Sequence, residues 1–103
     1  MIWIAVDAMG GDEAPHNIVD GALAATRHFD LGVILVGPHE RLAAEVARHP
    51  AVDIDRVRVV HADSVIGMSE APMAALRRKP GASIRVACDL VARREAAAVF
   101  SAG

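Results

Sequence analysis

A chain of 103 residues, 53% apolar and 23% charged, has material for one small hydrophobic core and not for several domains. The formal net charge of −2 supplies no basic field for nucleic acid, and with no tyrosine and only three other aromatic residues there is no stacking platform. Cys88 is the only cysteine, so no intrachain disulfide can form, which suits a reducing compartment.

The opening residues lack a basic n-region, and Asp7 interrupts their apolar run at once. No uncharged stretch approaches the ~20 residues that a membrane span requires. The expectation from composition is a soluble, cytoplasmic protein.

Residues 2–6 form a short apolar run closed by Asp7 and the pair Gly10-Gly11, which reads as a buried strand. Pro15 suits the first turn of a helix, where its missing N–H costs little. Ile18, Val19, Ala22, Leu23 and Thr26 then recur at helical spacing, predicting an amphipathic helix over about 15–28. Gly32 opens a second strand over 33–36, stopped by Gly37-Pro38. A second helical stripe of Leu42, Ala43, Val46 and Ala47 is closed by His49-Pro50.

Residues 57–60 read as a third strand ending at His61. Ser69 has the character of a helix N-cap, with Met68 and Met73 placed as a hydrophobic staple and Pro72 tolerated in the first turn. A further helix is expected over about 83–94, with Ile84, Ala87, Cys88 and Val91 on one face and Cys88 in the core. Val99-Phe100 begins a last strand before Ser101-Ala102-Gly103.

Strands that are apolar throughout, alternating with helices, predict an α/β fold: a Rossmann-like αβα arrangement with a mostly parallel sheet covered on both faces. Right-handed crossovers would bring the loops after the strands to one edge. A strand running into Ser-Ala-Gly is expected to turn into something further, so residues 1–103 read as the N-terminal part of a Rossmann-like domain, truncated after the last strand.

The strongest local signal is DAMGGDEAP at 7–15, set between a buried strand and a helix. Glycines let backbone N–H groups approach an anion, and the helix N-terminus adds a favourable partial charge. Asp7, Asp12 and Glu13 oppose a simple phosphate cradle, and suit orienting donors or accepting a proton. The competing reading is a glycine turn with acidic helix capping.

The text IAVDAMGGDEAP, continuing into IVDGALAA, resembles the opening of PlsX-type phosphate acyltransferases. ILVGP, VVHADSVIGMSEAPMAALRRK, SIRVACDLV and SAG follow in the same order and extend the resemblance over nearly the whole chain. It implies a fold related to the isocitrate-dehydrogenase-like enzymes and transfer of a fatty acyl group from acyl carrier protein to inorganic phosphate, giving acyl phosphate. It implies no cofactor and no metal, and a homodimer peripherally associated with the membrane. Alternatives are coenzyme A-dependent transfer of the phosphotransacetylase kind, which DAMGGD disfavours, or a catalytically silent carrier-docking or dimerisation fragment.

On that resemblance Asp7, Gly10, Gly11 and Asp12 belong to the active-site edge, with Asp7 and His61 as the catalytic candidates. His61 suits anion binding or proton transfer, and equally a hydrogen-bonded strand-end histidine. His16 is a donor to phosphate or carrier, or a solvated first-turn histidine. His28, His39 and His49 read as surface. Arg77 and Lys79 are candidate phosphate ligands or part of a solvated basic face, and Ser83 would present a helix N-terminus to the anion. The family usually has two serines where this chain reads Ala82-Ser83, which narrows any hydroxyl role to Ser83. Ser101 opens what resembles the family's Ser-Ala-Gly-Asn-Thr-Gly loop.

Overall fold

Unbroken runs of Val, Ile and Leu make strands that cannot leave either face in water, so helices must cover both. The computed structural model describes residues 1–10, 14–63 and 82–102, and there this demand is met by four parallel strands and three helices. Strand β1 (Ile2–Asp7) leads to helix α1 (His16–His28), β2 (Leu31–Gly37), α2 (His39–Ala47), a 3-10 turn (Ile54–Arg56) and β3 (Val57–His61). Helix α3 (Ser83–Ala92) and strand β4 (Ala98–Phe100) complete the description. The expected cap and staple at Met68, Ser69 and Met73 lie outside the described residues.

The sheet order is β3-β2-β1-β4, and every pairing is parallel. The chain therefore steps outward from β1 to β3, then crosses back to place β4 on the other side of β1. That reversal creates a topological switch point between β1 and β4, the position at which open α/β sheets bind ligands beyond the strand ends.

Alternation along the strands divides the core in two. Val6, Val33, Leu35 and Val57 face α1 and α2, packing with Val19, Leu23, Leu42 and Val46. Ala5, Ile34 and Val36 face the other way, against Ala87 and Leu90 of α3. Each fully buried large aliphatic side chain contributes about 1.5–3 kcal/mol. Helix α1 buries the expected stripe of Val19, Ala22, Leu23 and Thr26, and the Thr26 hydroxyl donates to the Leu23 carbonyl at 2.7 Å. Pro15 opens this helix, its carbonyl accepting from Val19 N–H at 2.9 Å.

Two helices bury less than their composition promised. In α2 only Leu42 and Val46 are buried, while Ala43 and Ala47 are exposed. In α3 the buried residues are Ser83, Ala87 and Leu90, and Cys88 is exposed, which corrects its assignment to the core. Positions 83, 87 and 90 form one i, i+4, i+7 stripe, and Cys88 sits about 100° around the helix from Ala87.

Helix α3 also ends before residue 94. Arg94 takes φ 61°, Glu95 N–H donates to the Leu90 carbonyl at 2.9 Å, and Arg94 N–H donates to that of Val91 at 3.0 Å. This is the paired closure of a Schellman motif, with arginine in the left-handed position that glycine usually takes.

Candidate functional site

A carboxylate at the end of a parallel strand, beside a glycine turn, meets whatever the neighbouring segments bring to that edge. Here Asp7 belongs to the Ala5 side of the sheet, and it is buried, with 4% of its surface exposed. Burial of such a group demands hydrogen bonds, and three donors converge on it. Ser83 Oγ donates to Oδ1 at 2.6 Å, Met9 N–H donates to the same oxygen at 3.2 Å, and Ser101 Oγ donates to Oδ2 at 3.0 Å.

Each donor has a local reason to be there. Ser83 is the first residue of α3 and is buried at the helix N-terminus, where the N-cap residue Ala82 has no side chain able to cap. Ser101 follows β4 directly, and β4 lies beside β1 with Val6 opposite Phe100, so the residues after this pair, Asp7 and Ser101, emerge together. Met9 N–H is supplied by the turn, which Gly10 N–H closes on the Asp7 carbonyl at 3.4 Å. Three segments separated by up to 94 residues are thus tied to one carboxylate at the β1/β4 switch point.

The other candidates fall elsewhere. His61 ends β3, two strands from β1, roughly 10 Å away at normal strand spacing. Its Nδ1 accepts from His39 N–H at 3.1 Å, while Nε2 faces Asp63 Oδ1. His61 therefore caps the N-terminus of α2, where Pro38 offers no side-chain acceptor.

His16, at the start of α1, joins a polar bridge to α2. Its Nδ1 lies 3.1 Å from Glu45 Oε2 and 3.0 Å from Arg48 Nη1, and its Nε2 is 3.4 Å from Asp20 Oδ2. His49 Nε2 meets the other Asp20 oxygen at 2.8 Å, so His49 is half-buried and bonded between the helices, where the sequence had it at the surface. His28 and His39 are exposed as expected. Gly11, Asp12, Arg77 and Lys79 lie outside the described residues.

On the opposite face of the sheet an apolar groove of about 400 Å³ runs between α1 and the β1/β4 edge, lined by Ile4, Val6, Ile18, Ala22 and Phe100 among others. Among the described residues no cluster of three or more His, Cys, Asp or Glu could hold a metal ion, and no helix is long and apolar enough to cross a membrane.

The order of segments bearing this arrangement is found in known proteins. A profile of the family described as fatty acid synthesis protein matches residues 2–103. The chain belongs to that family. It is 51% identical over 100 residues to a phosphate acyltransferase of a Geobacter species, covering 97% of this chain and 28% of that protein. A Nostoc phosphate acyltransferase is 49% identical over 102 residues, covering 99% of this chain and 29% of its own length. One from Pseudomonas savastanoi is 50% identical over 101 residues, covering 97% and 30%. The chain thus spans less than a third of the length of the curated relatives it matches.

Sequence reasoning named Asp7, Ser83 and Ser101 separately and missed that they share hydrogen bonds. The signal available was weak: two serines, each beginning or ending an element on the strand-end edge. The Asp20, Glu45 and Arg48 bridge was missed because charge on helices ordinarily faces water, and Asp63 because an exposed acid after a strand ordinarily does the same.

Proposed function

We propose that the protein of which these residues form part transfers a fatty acyl group from acyl carrier protein to inorganic phosphate, yielding acyl phosphate for lipid synthesis. The observation that carries this reading is the convergence of Asp7, Ser83 and Ser101 at the β1/β4 switch point. It is supported by a chain about half identical to proteins named phosphate acyltransferase.

The reaction is phosphorolysis of a thioester. An oxygen of hydrogenphosphate attacks the carbonyl carbon, a C–O bond forms, and the C–S bond breaks. The thiolate leaves, and the proton of the phosphate ends on its sulfur. Phosphate is already a nucleophile, so the protein's task is to hold it in line with the carbonyl, which removes much of the entropic barrier. The developing oxyanion also needs fixed donors. The α3 N-terminus beside Ser83 offers backbone N–H groups on the appropriate edge. We assign the phosphate to this strand-end edge, with Gly11, Asp12, Arg77 and Lys79 as its further sequence-based ligands. Acyl carrier protein is the proposed partner, in a homodimer working at the membrane periphery.

The test is phosphate-dependent thiol release by the full-length protein, comparing a long-chain acyl-carrier thioester with acetyl-coenzyme A. The expected result is turnover of the carrier thioester, with acyl phosphate trapped as hydroxamate. Preference for acetyl-coenzyme A moves the protein to the phosphotransacetylase class, and turnover of neither overturns the enzymatic reading.

A further inference from the structure

The groove between α1 and the β1/β4 edge is walled almost wholly by carbon, and Asn17 is the only polar residue among the described residues lining it. Right-handed crossovers account for its opening. They set α1 and α2 over β1, β2 and β3 on this face and α3 on the other, which leaves β4 at the margin of the cover, with Phe100 52% exposed. The volume of about 400 Å³ lies within the ~300–1,000 Å³ of small-ligand sites.

The groove runs along the strands toward the site. Its lining begins at Leu31, level with Ile2, and reaches Val6, level with Phe100. Between the levels of Ile2 and Val6 the floor is about 13 Å long, at ~3.3 Å per residue. Its upper end stops one residue short of Asp7 and Ser101, the pair bonded at the strand-end edge. Gly21 supplies a separate observation. It lies inside α1, where glycine is destabilising relative to alanine, yet a Cβ built on it meets nothing within 4 Å. Packing among the described residues therefore does not account for the missing side chain, whereas room in the groove does.

We propose that this groove seats the alkyl chain of the acyl thioester, with the carbonyl at the strand-end edge and the chain running along α1 past Gly21 to Ala25. The inference rests on the reading of that edge as the acyl-transfer site, and names where the substrate's chain lies. An alkyl chain has no hydrogen-bonding group to satisfy, and each methylene taken out of water adds to binding. At roughly 1.3 Å of advance per C–C bond of ~1.5 Å, a floor of about 13 Å holds about ten carbons. Gly21 and Ala25 are four residues apart, so they mark two depths about 6 Å apart along the chain.

The experiment titrates the full-length protein, free of lipid and detergent, with octanoate, decanoate, dodecanoate and tetradecanoate by calorimetry. In the wild type, affinity should rise by up to about fourfold per added methylene and level off beyond about ten carbons. Ala25→Phe, at the far end, should weaken dodecanoate by about tenfold and spare octanoate. Gly21→Phe, midway along, should weaken both. A wild-type profile that is flat, or that climbs unbroken through tetradecanoate, would overturn the proposal, and this arm stands even where a variant does not fold. So would natively folded variants with the wild-type profile. If those variants instead change the melting midpoint or the oligomeric state, another part of the protein or a second copy fills the groove. If they lose only binding to phosphatidylglycerol vesicles, the groove meets membrane lipid, and the proposal fails in that case too. The same preparations are assayed for thiol release from carrier thioesters of these lengths. Length-dependent binding without thiol release removes the acyltransferase reading and leaves the alkyl-chain seat standing, and thiol release without length dependence does the reverse.

Discussion

At residue scale the strand-end histidine and the strand-end aspartate have different work. Asp7 joins α3 and the residue after β4 to the turn after β1, while His61 holds the first N–H of α2 through Nδ1. A helix start with no side-chain cap of its own loses about 0.5–2 kcal/mol when its acceptor is removed. His61→Ala should accordingly lower the stability of the full-length protein by about 1 kcal/mol in urea titrations. The proposed acyl-phosphate formation should stay within about threefold of wild type, a barrier change under ~1 kcal/mol. A loss of hundredfold or more with stability unchanged would instead make His61 a catalytic group. His16 reads similarly, since its ring meets Asp20, Glu45 and Arg48 between two helices.

At the scale of elements, the strands follow from the sequence and their contacts are set by close approach. Gly32 lies opposite Trp3 in the β1/β2 register, and a Cβ built on it would sit 2.6 Å from the indole ring. That ring in turn carries the Arg58 guanidinium, 3.9 Å from its centroid. The absent side chain at 32 is what lets Trp3 lie flat across β2 beneath Arg58. Gly32→Ala should force the indole outward and separate that stack, costing about 1–3 kcal/mol as overpacking does. Thermal melts followed by tryptophan fluorescence check it: a lower midpoint and a shifted emission are expected, and an unchanged midpoint would show that the ring has room to yield. The helices were legible as elements, yet their faces were only partly so. In α3 the expected stripe ran through Cys88, and the observed one runs through Ser83, Ala87 and Leu90. Ile84, Cys88 and Val91 are as apolar as the residues that are buried. Hydropathy alone therefore could not choose between overlapping stripes, and the tie from Ser83 to Asp7 sets the rotation.

For the whole molecule, the described residues bring Asp7, Ser83 and Ser101 to one edge of the sheet. Phe100 on β4 remains 52% exposed, and the groove beneath α1 is open beside it. The matched relatives are more than three times as long as this segment. The proposed phosphorolysis needs phosphate and carbonyl held together in a water-restricted site, which a segment of this size does not enclose. Residues 1–103 made alone should therefore release carrier thiol at a rate indistinguishable from buffer, beside an active full-length protein. Turnover within about tenfold of the full-length rate, a barrier difference under ~1.4 kcal/mol, would show that these residues hold the complete site. The sequence by itself determined the parallel α/β architecture, because runs such as 33–36 are apolar at every position and need cover on both faces. It also marked Asp7, Ser83 and Ser101 as candidates. Only the tertiary structure decided that these three meet, because a strand order that reverses at β1 brings position 101 beside position 7 across 94 residues of chain. Likewise only the fold assigned His61 to a helix end, since hydrogen-bond partners far apart in sequence are chosen by sheet register and crossover, which no local pattern encodes.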